Sequence, residues 1–321
     1  MHKLIIQIPC YNEEESIGVT LDALPRIIPG IAVVEWLVID DGSTDNTIQV
    51  ARDHGADHVI KLNVNRGLAR AFMLGIDYGV KAGADIIVNT DADNQYNADD
   101  IPKLIQPILD GQADIVIGER PISTIEHFSP VKKLLQKVGS LVVQMASGTR
   151  IPDAPSGFRA FRRDAALRLN VFDEYTYTLE TIIQAGRKNM AITSVPIRTN
   201  PDMRPSRLVS SIPSYIRRSL FTIVRIFMTY RPFRFFTSFG IIAFTIGMIP
   251  IVRWMYFWSI GDGSGHLQSL ILATFFLSAG VNLCILGLLG DLIGVNRILL
   301  EDHRCRVREI EYQDHVRRYG K

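Results

Sequence analysis

The stretch Ile86-Ile-Val-Asn-Thr-Asp-Ala-Asp-Asn-Gln-Tyr96 joins an apolar run to a polar end. The run is short and continuous, which is typical of a buried strand, and the polar end carries two carboxylates, Asp91 and Asp93. In open α/β sheets, ligands bind beyond the carboxyl ends of the strands. Two carboxylates that flank one small residue suit a hard divalent cation, Mg²⁺ or Mn²⁺, and Gln95 offers a neutral oxygen. The alternative is that both aspartates cap the helix that follows.

The same change from an apolar run to a polar turn recurs along residues 1–208. Further strands are predicted at 4–8, 36–39, 59–60 and 114–117. Helical spacing of apolar residues follows several of these runs. Strands that alternate with helices at this rhythm predict an α/β fold, in which a mostly parallel sheet is covered by helices on both faces.

Carboxylates recur at the points where the predicted strands end. Because such ends share one edge of a parallel sheet, we expect Glu13, Asp41, Asp91 and Asp93 to lie along that edge. An aspartate after a strand is also a common turn or N-cap residue. Asp45, and with it Asp40, is interpreted in that structural way.

The composition excludes several classes of protein. The chain has 321 residues and a net charge of +2, which is too balanced to indicate a nucleic-acid partner. Its three cysteines, Cys10, Cys284 and Cys305, show neither metal-ligand spacing nor a disulfide framework, as expected in a reducing compartment. Met1 leads almost directly into a predicted strand, so no secretory signal peptide is expected.

The C-terminal third of the chain predicts a membrane attachment. Segment 209–234 mixes arginines with apolar and aromatic residues, which is typical of amphipathic helices at a bilayer surface. The alternative is that this segment packs on the preceding domain. Region 235–295 contains two apolar runs, each long enough to span a bilayer, and a short polar turn separates them. These runs predict a hairpin of two transmembrane helices.

Arginines flank both outer ends of this hairpin. They are Arg217, Arg218, Arg225, Arg231 and Arg234 before it, and Arg297, Arg304, Arg306 and Arg308 in the basic tail at 296–321. By the positive-inside rule, both termini and the domain at 1–208 face the cytoplasm. The expected protein is an integral membrane protein, most simply of a prokaryotic inner membrane.

Three motifs together resemble the successive motifs of family 2 glycosyltransferases with the Rossmann-like GT-A fold. They are Pro9-Cys-Tyr-Asn-Glu-Glu14, Asp40-Asp-Gly-Ser-Thr-Asp45 and Asp91-Ala-Asp-Asn-Gln95. The resemblance implies a nucleotide diphosphate sugar as donor. It assigns the base and ribose to Pro9, Tyr11, Asn12, Glu13 and Asp41. It assigns the metal and the diphosphate to Asp91, Asp93 and Gln95.

A fourth stretch, Asp153-Ala-Pro-Ser-Gly-Phe-Arg-Ala-Phe-Arg162, resembles polyprenyl-phosphate glycosyltransferases of the dolichol-phosphate mannose synthase group. The resemblance implies that Arg159 and Ser156 face the acceptor phosphate, and Arg120, Arg204 and Arg207 would add positive charge there. Arginine's planar fork matches phosphate oxygens. The alternative is that Arg159 is an ordinary surface residue.

The chain also departs from the family pattern. Relatives often carry a hydrophobic residue, Gln, His and two prolines after the paired aspartates, where this chain has 94–98. Arg66-Gly-Leu-Ala-Arg70 stands where a Gly-Lys-Gly pattern is common. The donor therefore stays open between UDP- and GDP-sugars. Glu180 lies in a region where other family 2 enzymes keep a catalytic acid, and we favour a structural role for it.

The expected reaction moves a sugar from the donor to a polyprenyl phosphate, undecaprenyl or dolichyl phosphate, with inversion, as a step of cell-envelope glycan synthesis. Asp93 and Arg159 are the expected catalytic residues. The acceptor phosphate is largely dianionic at pH 7, since its second pKa is about 6, and needs no strong general base.

Two other functions compete with this one. A processive polysaccharide synthase would carry a Gln-x-x-Arg-Trp motif, but the Arg-Trp pair of this chain, Arg253-Trp254, lies inside a predicted span. A non-catalytic membrane scaffold would have no reason to keep Asp91, Asp93 and Arg159 together. The sequence leaves a homo-oligomer open.

Overall fold

The computed structural model describes residues 2–121, 140–171 except 142 and 146, 177–201, 221, 224–261 and 266–319. The strands are β1 His2–Cys10, β2 Ile31–Asp40, β3 His58–Lys61, β4 Ile86–Asn89, β5 Ile115–Glu119, β6 Arg159–Arg162 and β7 Ile192–Pro196. The helices with defined bounds are α1 Ile17–Ala23, α2 Thr47–Asp53, α3 Leu68–Lys81, α4 Ile101–Leu109, α5 Arg163–Arg168, α6 Tyr177–Arg187, α7 Pro232–Ser259 and α8 Leu267–Tyr319.

The strands form one seven-stranded sheet in the order β3-β2-β1-β4-β6-β5-β7. Only β6 runs antiparallel to its neighbours, β4 and β5, among the paired strands of the described chain. The register aligns Cys10 with Asp40 and Gln7 with Asn89, so β1, β2 and β4 end side by side. The predicted mostly parallel sheet is confirmed, and β6 and β7 are additions that the sequence did not predict.

Helices cover both faces of this sheet, as predicted. On one face, Leu4, Ile6 and Ile8 of β1 join a buried cluster with residues of α1 and α4. On the other face, α3 lies so close that a Cβ on Gly79 would sit 2.7 Å from Ile87 Cδ1. The alternation of side chains along β1 therefore divides the core into two layers.

The chain divides into two compact units. The α/β unit comprises 1–216 together with 301–321, and the helical unit comprises 217–300. The predicted boundaries at 208/209 and 234/235 stay predictions. The predicted basic tail at 296–321 also stays a prediction, and from Glu301 onwards the chain groups with the α/β unit.

The helical unit contains the two predicted apolar helices. α7 and α8 each include a window of mean hydropathy 2.1, and both are long enough to cross a membrane. Within the pair, a Cβ on Gly240 would lie 2.8 Å from Cys284 Sγ and 2.9 Å from the Gly280 carbonyl oxygen. Small residues therefore let the two helices approach closely, as is usual between helices in lipid. Most of the predicted amphipathic helix before α7 lies outside the described residues.

Candidate functional site

The loop after β4 presents the two carboxylates at the carboxyl edge of the sheet. Asn94 takes a left-handed backbone conformation with φ of 54°. The turn that results lets the Gln95 amide donate to Asp93 Oδ1 at 3.2 Å. Asn200, beyond β7, donates from its side chain to the Asn94 carbonyl at 2.9 Å. The loop is therefore stabilised by a hydrogen bond between its own residues and by another from Asn200.

Asp91 lies beneath a second loop, 153–158, which leads into β6. The Tyr96 hydroxyl hydrogen-bonds to Asp91 and accepts a hydrogen bond from the Gly157 amide at 2.9 Å. A Cβ on Gly157 would lie 3.0 Å from both carboxylate oxygens of Asp91. A side chain at this position would therefore crowd the carboxylate. Burial, and then the charge of Asp93, raise the pKa of Asp91 to about 7.

The donor set fits a divalent cation that is shared with a substrate. Within the described residues, no group of three or more His, Cys, Asp or Glu side chains could hold a metal alone. The chain offers two adjacent carboxylates, Asp91 and Asp93, whose mutual repulsion a cation would relieve. Mg²⁺ and Mn²⁺ commonly take one or two carboxylates and complete their shell with water and substrate phosphates.

The loops after β1 and β2 are tied to each other. Asn12 has φ of 53°, and its side-chain oxygen accepts from the Thr44 amide at 2.9 Å, while its own amide donates to Ser43 Oγ at 2.8 Å. Glu13 accepts from Ser16 Oγ at 2.7 Å. Tyr11 is exposed beside them. The predicted nucleotide-binding residues Tyr11, Asn12 and Glu13 therefore lie on one braced loop, and Pro9 lies just before it in β1.

Asp41, predicted to bind the nucleotide, also anchors a neighbouring loop. Its carboxylate is buried and accepts from the amides of Arg66 and Gly67, each at 2.8 Å. The carboxylate thus holds the loop that begins α3 and would shape the nucleotide site indirectly. Asp40 accepts from the Ser43 amide, and Asp45 accepts from the Thr47 amide at 3.1 Å, as turn residues do.

Arg159 differs most from its expected placement. It opens β6 between β4 and β5, opposite Asn89 and Ile117, and is fully buried. Its guanidinium donates to the carbonyl oxygens of Ser156, Thr178 and Ala154 and to Thr181 Oγ1, at 2.6 to 2.7 Å. Burial lowers its pKa to about 10, so it stays charged at neutral pH. The guanidinium joins loop 153–158 to α6. Because Arg159 is buried, the surface alternative is wrong, and the expected contact with the acceptor phosphate stays a prediction.

The other residues considered for the acceptor side or for catalysis are Arg120, Ser156, Glu180, Arg204 and Arg207. Arg120 donates to both oxygens of buried Asp153, at 2.8 and 3.0 Å, and its charge lowers the pKa of Asp91. Ser156 is buried, and its Oγ has no hydrogen-bond partner within the described chain. Glu180 is buried in α6 near Gln184, which fits the structural role favoured for it. Arg204 and Arg207 lie outside the described residues.

A buried polar group that sequence reasoning missed lies below the carboxylates. The Asn89 side chain accepts from Gln7 Nε2 at 2.8 Å and donates to the Gly157 carbonyl at 2.8 Å and to the Tyr177 hydroxyl at 3.2 Å. An amide at the end of an apolar strand, two residues before Asp91, was the available signal, because buried amides are normally hydrogen-bonded. Tyr96 and Tyr177 gave no comparable signal.

The fold is shared with solved structures of a glucosyl-3-phosphoglycerate synthase. Glucosyl-3-phosphoglycerate synthase from Mycobacterium tuberculosis, solved with Mn²⁺, UDP and glucosyl-3-phosphoglycerate, aligns with a TM-score of 0.56 and 20% identity, over 71% of this chain and 80% of that one. The same enzyme with Mg²⁺ and UDP aligns with a TM-score of 0.53 and 19% identity, over 69% of this chain and 79% of that one. These likenesses confirm the predicted GT-A fold.

Residues 5–169 match the model of Glycosyl transferase family 2, and the chain belongs to this family. The undecaprenyl-phosphate mannosyltransferase of Micrococcus luteus is 30% identical over 61% of this chain and 82% of its own. The polyprenol monophosphomannose synthase of Mycolicibacterium smegmatis is 27% identical over 69% of this chain and 85% of its own. A UDP-N-acetylglucosamine–dolichyl-phosphate N-acetylglucosaminyltransferase of Methanococcus voltae is 31% identical over 60% and 83%.

Replacing Arg159 tests its observed role. We expect Arg159→Ala to lower the free energy of unfolding by at least about 3 kcal/mol, because each buried acceptor left unpaired costs about 1–3 kcal/mol. Arg159→Lys should lose less, since it keeps the charge and part of the hydrogen bonding. Thermal unfolding of the purified protein measures this, with Arg162→Ala, at the exposed end of the same strand, as control. A stable Arg159→Ala protein with a weakened acceptor interaction and normal donor binding would support the direct role.

Proposed function

We propose that the protein transfers a sugar from a nucleotide diphosphate sugar to a polyprenyl phosphate at the cytoplasmic face of a membrane. The observation that carries this proposal is a single chain in which the carboxylate pair Asp91 and Asp93 ends a central strand and two membrane-length helices follow. A transferase that keeps its own membrane helices is suited to an acceptor that stays in the bilayer. The relatives named for undecaprenyl, polyprenol and dolichyl phosphates support the same acceptor class.

The donor side of the proposed site is built from the braced loops. Asp91, Asp93 and Gln95 would hold Mg²⁺ or Mn²⁺, which would neutralise charge on the diphosphate leaving group. Tyr11, Asn12 and Glu13 would contact the nucleoside, together with Pro9 beneath them. Asp41 acts through the loop at Arg66 and Gly67, whose position it fixes.

The acceptor side needs positive charge more than it needs a base. A phosphate monoester is already largely dianionic at pH 7, and its oxygen attacks the anomeric carbon from the side opposite the leaving group, with inversion. Two anions must then lie close together. Arg120, held by Asp153 near Asp91, is the described cation best placed to offset this repulsion. Arg204 and Arg207 remain proposed contributors.

The proposed reaction is tested with membranes from cells that express the chain. Labelled UDP- and GDP-sugars are supplied singly, and label is measured in the organic extract and in the polymer fraction. We expect one donor to give organic-soluble label that mild acid releases, and Asp91→Asn membranes to give none. Label in polymer alone would indicate a processive synthase. Nucleotide binding without transfer of any sugar would indicate a scaffold.

Transfer should require a divalent cation, because two adjacent carboxylates face the proposed diphosphate. We expect excess EDTA to abolish activity and Mg²⁺ or Mn²⁺ to restore it. Asp93→Asn should reduce turnover by about 10²-fold or more, the scale of losing an electrostatic stabiliser of the leaving group. Asp45→Asn is the matched control, since Asp45 bonds to Thr47 at the start of α2. Full activity in EDTA, or equal losses in both variants, would contradict the assignment.

The proposed topology places both termini in the cytoplasm and the turn between α7 and α8 outside. Single cysteines are introduced as Ser264→Cys in the turn and His303→Cys on the exposed side of α8, in a chain whose native cysteines are replaced by serine. A maleimide that cannot cross membranes should label position 264 in intact cells and position 303 only after permeabilisation. The reverse pattern would show that the topology is inverted.

A further inference from the structure

The last part of α8 presents one covered face to the α/β unit. Of residues 301–314, only Glu301, Cys305, Arg308 and Tyr312 are buried or half-buried, and the others are exposed. Their spacing of four, three and four places them along a single helical stripe. This stripe is mainly polar, so its contacts are specific ones and not general apolar burial. We call residues 301–312 the docking segment.

Arg308 makes the central contacts of the docking segment. Its side chain is 12% exposed, and Nη2 lies 2.8 Å from Asp77 Oδ1 in α3. Nη1 donates to the Leu169 carbonyl oxygen at 2.6 Å, at the end of α5. Burial lowers the pKa of Arg308 and raises that of Asp77, whose side chain is the more exposed of the two. One arginine thus fastens the segment to two helices.

Contacts on either side of Arg308 extend the attachment. Glu301 is buried and lies 3.1 Å from Lys188 Nζ, which also donates to the Arg168 carbonyl oxygen at 2.7 Å. The Arg163 guanidinium carbon lies 5.1 Å from the centre of the Tyr312 ring. The segment therefore contacts α3, α5 and the residue that follows α6. Removing one partner of such a partly buried pair is destabilising, because the other charge is left without compensation.

We propose that the docking segment is a second attachment of the catalytic unit to its membrane helices, with Arg308 as its positioning residue. The chain passes from the α/β unit to the helical unit after 216 and returns at 301. A domain held by one linker rotates freely about it, whereas a domain held at both ends does not. A lipid acceptor is reached only at the bilayer, while a nucleotide sugar arrives from solution. The attachment therefore affects sugar transfer to the lipid acceptor and not binding of the donor. This role rests on the proposed function.

The experiment compares Arg308→Ala with Arg306→Ala in the full chain in lipid nanodiscs. Arg306 is exposed and pairs with Asp302 of the same helix, which makes it a matched control. Alkylation of Cys305 by N-ethylmaleimide, measured on its peptide by mass spectrometry, reports docking because this thiol lies on the covered stripe. Donor binding is measured by calorimetry, and transfer is measured with polyprenyl phosphate in the same discs.

For Arg308→Ala we expect alkylation of Cys305 to rise about ten-fold or more, as for a segment released by local opening. Turnover with the lipid should fall several-fold and the donor Kd should stay within about two-fold, since the carboxylate edge of the sheet is untouched. Arg308→Lys, which keeps the ion pair with Asp77, should fall between Arg308→Ala and wild type. Arg306→Ala should match wild type in every measurement.

Unchanged alkylation in Arg308→Ala would overturn the docking by this residue. Raised alkylation with normal lipid transfer would overturn the role as an attachment, and so would a parallel loss of donor binding. If the wild-type chain transfers no sugar to lipid, the proposed function fails, and with it the role of the attachment. The docking itself is still judged separately, by the alkylation rates.

Discussion

The Asn89 side chain is the point on which the candidate site depends. Its amide joins β1 through Gln7, the loop before β6 through the Gly157 carbonyl, and α6 through the Tyr177 hydroxyl. All these groups are buried, and an unpaired buried amide would cost about 1–3 kcal/mol. The hydrogen bonds therefore fix which loop lies above the end of β4. Asp91 follows two residues later, so its position depends on these hydrogen bonds.

The order of the strands explains why this arrangement can form. β6 enters the sheet antiparallel between β4 and β5, and its first residue, Arg159, lies opposite Asn89. The chain must therefore approach β6 over the carboxyl edge, and loop 153–158 covers Asp91 as it does so. Gly157 makes this approach sterically feasible, and Arg159 holds the same loop from below through the Ser156 and Ala154 carbonyls. The charged guanidinium of Arg159 thus stabilises a loop next to the site.

The sequence predicts the fold well where apolar runs are continuous. β1, β2, β4 and β5, and the two apolar helices, follow from periodicity and length alone. β6 does not, because its four residues, Arg-Ala-Phe-Arg, carry a charge at each end. The positions of the paired aspartates are predictable in the same way, but the duties of Asp41 and Arg159 are not. Both lie in motifs that suggest ligands, yet each is engaged by amides or carbonyls of the chain itself.

The docking segment is a second feature that the sequence pattern does not predict. An amphipathic helix is recognised by an apolar stripe, but the covered stripe here is Glu301, Cys305, Arg308 and Tyr312. In sequence these residues are indistinguishable from a solvated basic tail, because their partners, Lys188 and Asp77, are distant along the chain. Charge pairing across long sequence separations leaves no periodic trace. Buried and partly buried charges therefore determine much of the specific structure of this protein, namely Arg159 beside the site and Arg308 at the far end of α3. The hydrophobic pattern determines only the framework into which these charged residues fit.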